Sequence, residues 1–330
     1  TQSTSRRQRQ MCIRDRHVSA AISSRIGRWA FNDPARVQSM LPVGMAAGIA
    51  AAFNAPLSAL TFVFEELLDN FSMKAIGGMV IAVVIAAAVS RTILGEDPVL
   101  TAKISEDYKT SAWMLVALPL GLASGLIGHL FVRSTLNLRG WFKGRNGLPT
   151  WINPAAGGLS CGLLGLGAFY LTGYCGEEQS SVFSIGYQSL EAAFANKLAV
   201  GVLATLLVMK FIAVVVNYAS GGSGGLFSPT LYLGGMLGGL IGVGLADLQH
   251  VIAWIPAFPT DTKVIGGCVL LGMGAMFAAV VRCPFTSLII IFEMTGNYSL
   301  ILPLMAGNVI AWQIARHLQP VSIYLSLIHI

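Results

Sequence analysis

Long apolar runs, broken by glycine, proline and short polar clusters, set the pattern of the chain. They predict helices over 17–31, 35–53, 57–71, 75–94, 112–136, 154–172, 198–218, 226–247, 264–281, 285–294 and 300–318. Asn32-Asp33-Pro34 is a helix start signal, with proline at the first helical position. Asn54-Ala55-Pro56 ends one helix and opens the next. Polar stretches are expected at 95–110, with Glu96, Asp97, Glu106 and Asp107, and at 174–190, with a short helix following. A loop over 133–147 carries Arg133, Arg139, Lys143 and Arg145. Basic loops favour the cytoplasm, so 133–147 is expected inside and the acidic 95–110 loop outside. Several helices fall short of the roughly 20 residues that span a bilayer. Short, Gly- and Pro-interrupted segments suggest the broken helices of a transporter.

Composition narrows the class. The chain is 55% hydrophobic and 11% charged, with mean hydropathy +0.69. Soluble domains carry about 25% charged residues, so this is an all-α polytopic membrane protein. Cys12, Cys161, Cys175, Cys268 and Cys283 are scattered without a CxxC pair and read as small core residues. Neither a metal site nor a cofactor is expected. A net charge of +6 is modest, and nucleic-acid binding is not indicated.

The densest break is Ser220-Gly221-Gly222-Ser223-Gly224-Gly225-Leu226-Phe227-Ser228-Pro229, between apolar runs at 203–216 and 231–245. No helix passes smoothly through it. Irregular backbone at membrane depth is tolerated where it is buried in protein or lines a cavity. Its N–H groups and the positive end of the following helix can face the same place, which describes an anion site. The plainer alternative is a glycine break used for helix packing.

An internal repeat accompanies it. At an offset of 228, Gly44–Ala51 lies over Gly272–Ala279, Pro56-Leu57-Ser58-Ala59-Leu60 over Pro284-Phe285-Thr286-Ser287-Leu288, and Phe64-Glu65 over Phe292-Glu293. Two related halves imply a site near mid-membrane. After the shared glutamate the copies differ, Glu66 in one and Met294 in the other. A charge at the centre of a spanning helix costs roughly 2.5–3.5 kcal/mol on insertion scales. Glu66 is therefore a candidate proton carrier whose pKa rises on burial, the alternative being a Glu facing cytoplasmic water. Glu65 and Glu293 are expected to be structural, bonding backbone at the broken helices. Lys210 is expected to snorkel or pair with an acid, and His129, His250 and His317 to lie near helix ends at the interface.

Both ends read as foreign. Met11-Cys12-Ile13-Arg14-Asp15 and Leu325-Ser326-Leu327-Ile328-His329-Ile330 can be encoded by reverse-complementary copies of a transposon end used in sequencing libraries. Residues 1–16 and 325–330 are expected to be non-native, with the gene continuing in both directions.

The motifs resemble those of the CLC family of chloride channels and proton/chloride antiporters, over essentially all of 17–324. Gly224-Gly225-Leu226-Phe227-Ser228-Pro229 is similar to the family's GGxFxP anion motif. Ala52–Leu57 with Phe64-Glu65-Glu66 resembles a helix pair of bacterial members, and Arg282-Cys283-Pro284-Phe285-Thr286 with Phe292-Glu293-Met294-Thr295 its partner. Ser322-Ile323-Tyr324 is similar to the segment of the family's pore tyrosine. The resemblance implies a fold of broken, tilted helices with two inverted-topology repeats, 17–109 being the rest of the first half and 110–324 the second. It implies an anion held by Gly225, Leu226, Phe227 and Tyr324, amides and a hydroxyl giving partial charge without a buried cation. It assigns Glu66 as a proton relay, which favours a chloride antiporter over a passive chloride channel. Chloride and protons are the implied cargo, without cofactor. A homodimer through 56–94 and 284–316 in a bacterial inner membrane is the implied setting. The family's GSGIP-like anion motif and its GxEGP gating motif do not occur in the sequence, and His17-Val18-Ser19 resembles the residues just after the gating motif in the family. One rival comes from another class, because Gly221-Gly222-Ser223-Gly224-Gly225 satisfies the G-x-S-x-G pattern of a serine hydrolase. Five small residues meet that pattern easily, and a histidine base within reach is not expected.

Overall fold

A computed structural model of the chain describes residues 14–66, 73–95, 100, 110–144, 152–172, 182, 186–222, 224–251, 262–320 and 323. Among these there are twelve helices and no strand. In chain order they are α1 (Arg14–Ala30), α2 (Pro34–Phe53), α3 (Pro56–Glu66), α4 (Met73–Leu94), α5 (Thr110–Lys143) and α6 (Ile152–Thr172). Next come α7 (Tyr187–Phe194), α8 (Val200–Ala219), α9 (Phe227–Val251), α10 (Thr262–Val281), α11 (Pro284–Thr295) and α12 (Ile301–Leu318). Six of them, α4, α5, α6, α8, α9 and α10, are long and apolar enough to cross a membrane.

The start and stop signals act as expected. Asp33 accepts the first helical bond of α2 from Val37 at 3.2 Å, with Pro34 at the first position. The basic stretch after 133 departs from expectation, because α5 continues through Lys143. Cations at a helix C-terminus meet the negative end of its dipole, so Arg139 and Lys143 favour the last turns over a loop. That extension also places His129 well inside α5, away from a helix end. His317 is exposed in the last turn of α12.

Two compact units divide the chain. The smaller combines 13–101 with 285–297, and the larger draws on 102–284 and 298–330. In the smaller, α2 packs against α1, α3 and α4. In the larger, α10 is the centre, packed on α5, α7, α9 and α12, and its span Val264–Val281 is entirely buried. Small side chains let its neighbours close in: Ala275 and Ala279 meet Ala311 and Ala315 of α12 with no exposed surface. Against α9 the contact is glycine on glycine. A Cβ at Gly272 would stand 2.9 Å from the Cα of Gly238, closer than packed atoms tolerate.

The offset of 228 reappears in the helix boundaries. α2 and α10 end at Phe53 and Val281, and α3 and α11 start at Pro56 and Pro284. Equivalent residues Asn54 and Arg282 both take left-handed backbone, φ 50° and 71°, two residues before each proline. Asparagine tolerates this, whereas other residues lose roughly 1–2 kcal/mol. Arg282 offsets it by donating from Nε to Ala279 O (3.1 Å) and from Nη2 to Ala315 O and Gln319 O (2.7 Å each). In the first copy the equivalent turn is tied by different bonds, one of which joins the equivalent pair with roles exchanged. Arg91 Nε donates to Asn54 Oδ1 at 2.9 Å, and Ser90 Oγ to Ala51 O at 2.9 Å. Arg91 is equivalent to Gln319, and Ala51 to Ala279. Arg282→Ala is expected to lose about 2–3 kcal/mol of stability through these bonds. Arg282→Gly should lose roughly 1 kcal/mol less, because glycine is at ease at this φ. Denaturation in SDS, followed by tryptophan fluorescence, compares the two.

Candidate functional site

The glycine-rich break is built by two helix ends. α8 finishes in a Schellman motif, with Gly221 left-handed at φ 88°. Gly221 N–H donates to Tyr218 O at 3.2 Å, and Gly222 N–H to Asn217 O at 2.9 Å. Ser220 Oγ adds a bond to Asn217 O at 2.9 Å. The chain therefore turns back over the last turn of α8, where a Cβ at Gly222 would lie 2.8 Å from Asn217 Cγ. The Tyr218 hydroxyl donates to the carbonyl of Gly224.

α9 then begins at Phe227, and Leu226 O accepts its first bond, from Thr230 N at 3.2 Å. An α-helix has no internal acceptor for its first N–H groups. In α9 those groups belong to Leu226, Phe227 and Ser228, since Pro229 has no N–H. The side chains of Leu226 and Phe227 are buried and Gly225 is exposed. The Phe227 ring packs edge-on against Phe277, centroids 4.9 Å apart, which anchors the first turn of α9 to α10. Thr230 Oγ1 lies 2.8 Å from both Leu226 O and Phe227 O. The first turn has no acidic residue, so its positive end is not neutralised locally.

Two further residues complete this end, the first of them not singled out from the sequence. Tyr187, at the start of α7, has its hydroxyl paired with Ser228. Burial pushes its pKa up, against a smaller lowering by Ser228, so it stays a neutral hydroxyl at physiological pH. Of the two expectations for Lys210, burial argues against snorkelling, since the residue is 4% exposed. Its Nζ donates to Val182 O at 3.1 Å and lies 5.1 Å from the centre of the Tyr232 ring. The same ring fills the space beside Gly186, whose left-handed φ of 90° precedes α7. Lys210 thus ties α8 to the carbonyl of Val182. A polar spacing rule could not find this, because Val182 supplies a carbonyl.

The acids lie in the smaller unit. Glu65, near the end of α3, accepts from the N–H groups of Phe285 (3.1 Å) and Thr286 (2.8 Å) and from the Thr286 hydroxyl (2.7 Å). Glu293, near the end of α11, accepts from Leu57 N–H and Ser58 N–H, both at 2.7 Å. Each glutamate thus caps the first turn of the other short helix, at repeat-equivalent positions. Glu66 is half-buried and is the last residue of α3, a helix of 11 residues. Its equivalent Met294 is fully buried. Tyr324 and Ser223 fall outside the described residues.

The sequence profile described as voltage gated chloride channel matches residues 16–316. The H(+)/Cl(-) exchange transporter ClcA of Klebsiella pneumoniae (strain 342) is 30% identical over 319 residues, 93% of this chain and 63% of the relative. The ClcA of Salmonella typhimurium (strain LT2) is 31% identical over 297 residues, 88% of this chain and 58% of the relative. Among solved structures, a slow cyanobacterial Cl-/H+ antiporter aligns with TM-score 0.76 at 26% identity, over 94% of this chain and 69% of its own. A CLC-type fluoride/proton antiporter aligns with TM-score 0.70 at 25% identity, over 94% and 70%. The chain thus spans less than two thirds of the length of these curated relatives.

Proposed function

The chain belongs to the voltage gated chloride channel family, and we propose that it works in proton-coupled exchange of chloride across a bacterial plasma membrane. It is an integral, multi-pass membrane protein, with six membrane-length helices among its described residues. The observation that carries the proposal is the Schellman-closed break, which leaves the first amides of α9 beside a glycine-rich loop. In this reading Gly225, Leu226 and Phe227 offer N–H groups to the anion, with the Tyr324 hydroxyl as a further donor. Partial charges suit a transported ion, since a fixed cation would hold it too tightly. Glu66 is the proton carrier, and its half-buried carboxylate suits loading and release from water. Glu65 and Glu293 hold the helices that carry it. The relatives' names, exchange transporter and antiporter, favour exchange over passive conduction. The family is one of transporters, so the hydrolase reading of Gly221–Gly225 is set aside.

In liposomes containing the protein, an outward chloride gradient should drive protons inward against their own gradient. Glu66→Gln should abolish proton movement by at least tenfold while chloride flux persists. Proton transport unchanged in that variant would remove Glu66 from the mechanism. Chloride flux with no proton movement in the wild type would favour a channel. The dimer is proposed through 56–94 and 284–316, where α4 exposes Ile81, Val84, Ile85 and Val89 and α12 exposes Leu302, Met305 and Val309.

A further inference from the structure

We infer that Tyr218 is the positioning residue that aims the anion-holding amides, a role that rests on the anion-site reading above. Its ring is 2% exposed in the last full turn of α8, and its hydroxyl reaches six residues forward to the carbonyl of Gly224. The described peptide bonds are trans, and in a trans peptide the C=O and the following N–H point in opposite directions. Holding Gly224 O toward Tyr218 therefore turns the N–H of Gly225 away from it. Gly225 is the exposed residue at the mouth of the break.

Neighbouring contacts fit the same purpose. The loop lies over Asn217 and Tyr218, for a Cβ at Gly224 would stand 3.5 Å from Asn217 Nδ2 and 3.9 Å from Tyr218 Cε2. On the helix side Thr230 Oγ1 gathers the carbonyls of Leu226 and Phe227 at 2.8 Å. Carbonyl oxygens are the groups that would repel an anion. Tyr218 holds one on the loop side and the single Thr230 hydroxyl proton is shared between two on the helix side, so the N–H groups of Gly225, Phe227 and Ser228, each opposite one of these carbonyls, face away from them. Glycine alone cannot set this direction, because it is equally at ease in several conformations. The ligand class that fits is a monovalent halide-like anion, since the site offers oriented amide dipoles and a helix end instead of a full countercharge.

Chloride titration calorimetry on the purified protein, with isethionate as the inert anion, tests this. Tyr218→Phe keeps the ring and its packing, and is expected to weaken chloride binding about tenfold, or roughly 1.4 kcal/mol. Placing 4-aminophenylalanine at 218 restores a donor and should bring affinity back to within about twofold. Thr135→Val removes a comparable hydroxyl-to-carbonyl bond elsewhere, from Thr135 to Phe131 O in α5, and should leave chloride affinity unchanged. Unchanged affinity in Tyr218→Phe, or equal weakening in the aminophenylalanine variant, overturns the inference while leaving the anion site intact. A wild type that binds no chloride overturns both.

Discussion

Gly272→Leu is expected to prevent the protein from reaching its native fold. The glycine faces α9 where two backbones nearly touch, and a Cβ there would lie 2.9 Å from Gly238 Cα and 3.0 Å from Gly238 N. The approach is mutual, because a Cβ at Gly234 would stand 2.7 Å from Met276 Cβ. Backbone atoms cannot swing aside as a side-chain tip can, and α10 is buried along its whole span. Overpacking by a methylene costs about 1–3 kcal/mol in a core that can relax. Forcing two helices apart should exceed that, on the order of 5 kcal/mol, comparable with the total stability of many domains. Gly272→Ala should give a folded but less stable protein. Monodispersity on size exclusion and the thermal midpoint in detergent separate the cases. A leucine variant that elutes and melts like the wild type would show that the α9–α10 contact is looser than described.

Glu293→Ala is expected to lose about 2–3 kcal/mol of stability. Its carboxylate satisfies two N–H groups at the start of α3, at 2.7 Å each. Helix caps contribute about 1 kcal/mol each, and bonds to charged acceptors about 1.5–3 kcal/mol. Glu293→Gln keeps one acceptor and should recover about half of the loss. Glu65→Ala should cost less, since Glu65 is exposed and water can replace it at Phe285 and Thr286. Unfolding in SDS measures all three. A change under about 0.5 kcal/mol for Glu293→Ala would mean that solvent already serves those amides.

These two predictions mark where the sequence was readable. The repeat could be found because proline and Phe-Glu recur at one spacing, and the spacing then reappears in helix boundaries and in the left-handed Asn54 and Arg282. That Glu65 and Glu293 would bond backbone was also a sequence expectation. Which helix each would cap was not legible, because Glu293 reaches Leu57 across 236 positions. The glycine break announced itself through residues that no helix accommodates. Its internal order did not, because Tyr218 and Lys210 act on carbonyl oxygens, and every residue has one. The basic end of α5 misled for a physical reason. Arg139 and Lys143 look like loop residues by polarity, yet a helix C-terminus is where cations are stabilised.

The central claim is that backbone amides at the start of α9 hold the transported anion. Crystals grown in bromide, with diffraction recorded at the bromine absorption edge, test it most directly. An anomalous peak is expected within hydrogen-bonding distance of the Leu226 and Phe227 amide nitrogens. Bromide peaks elsewhere in the protein with none at Leu226 and Phe227 would contradict it.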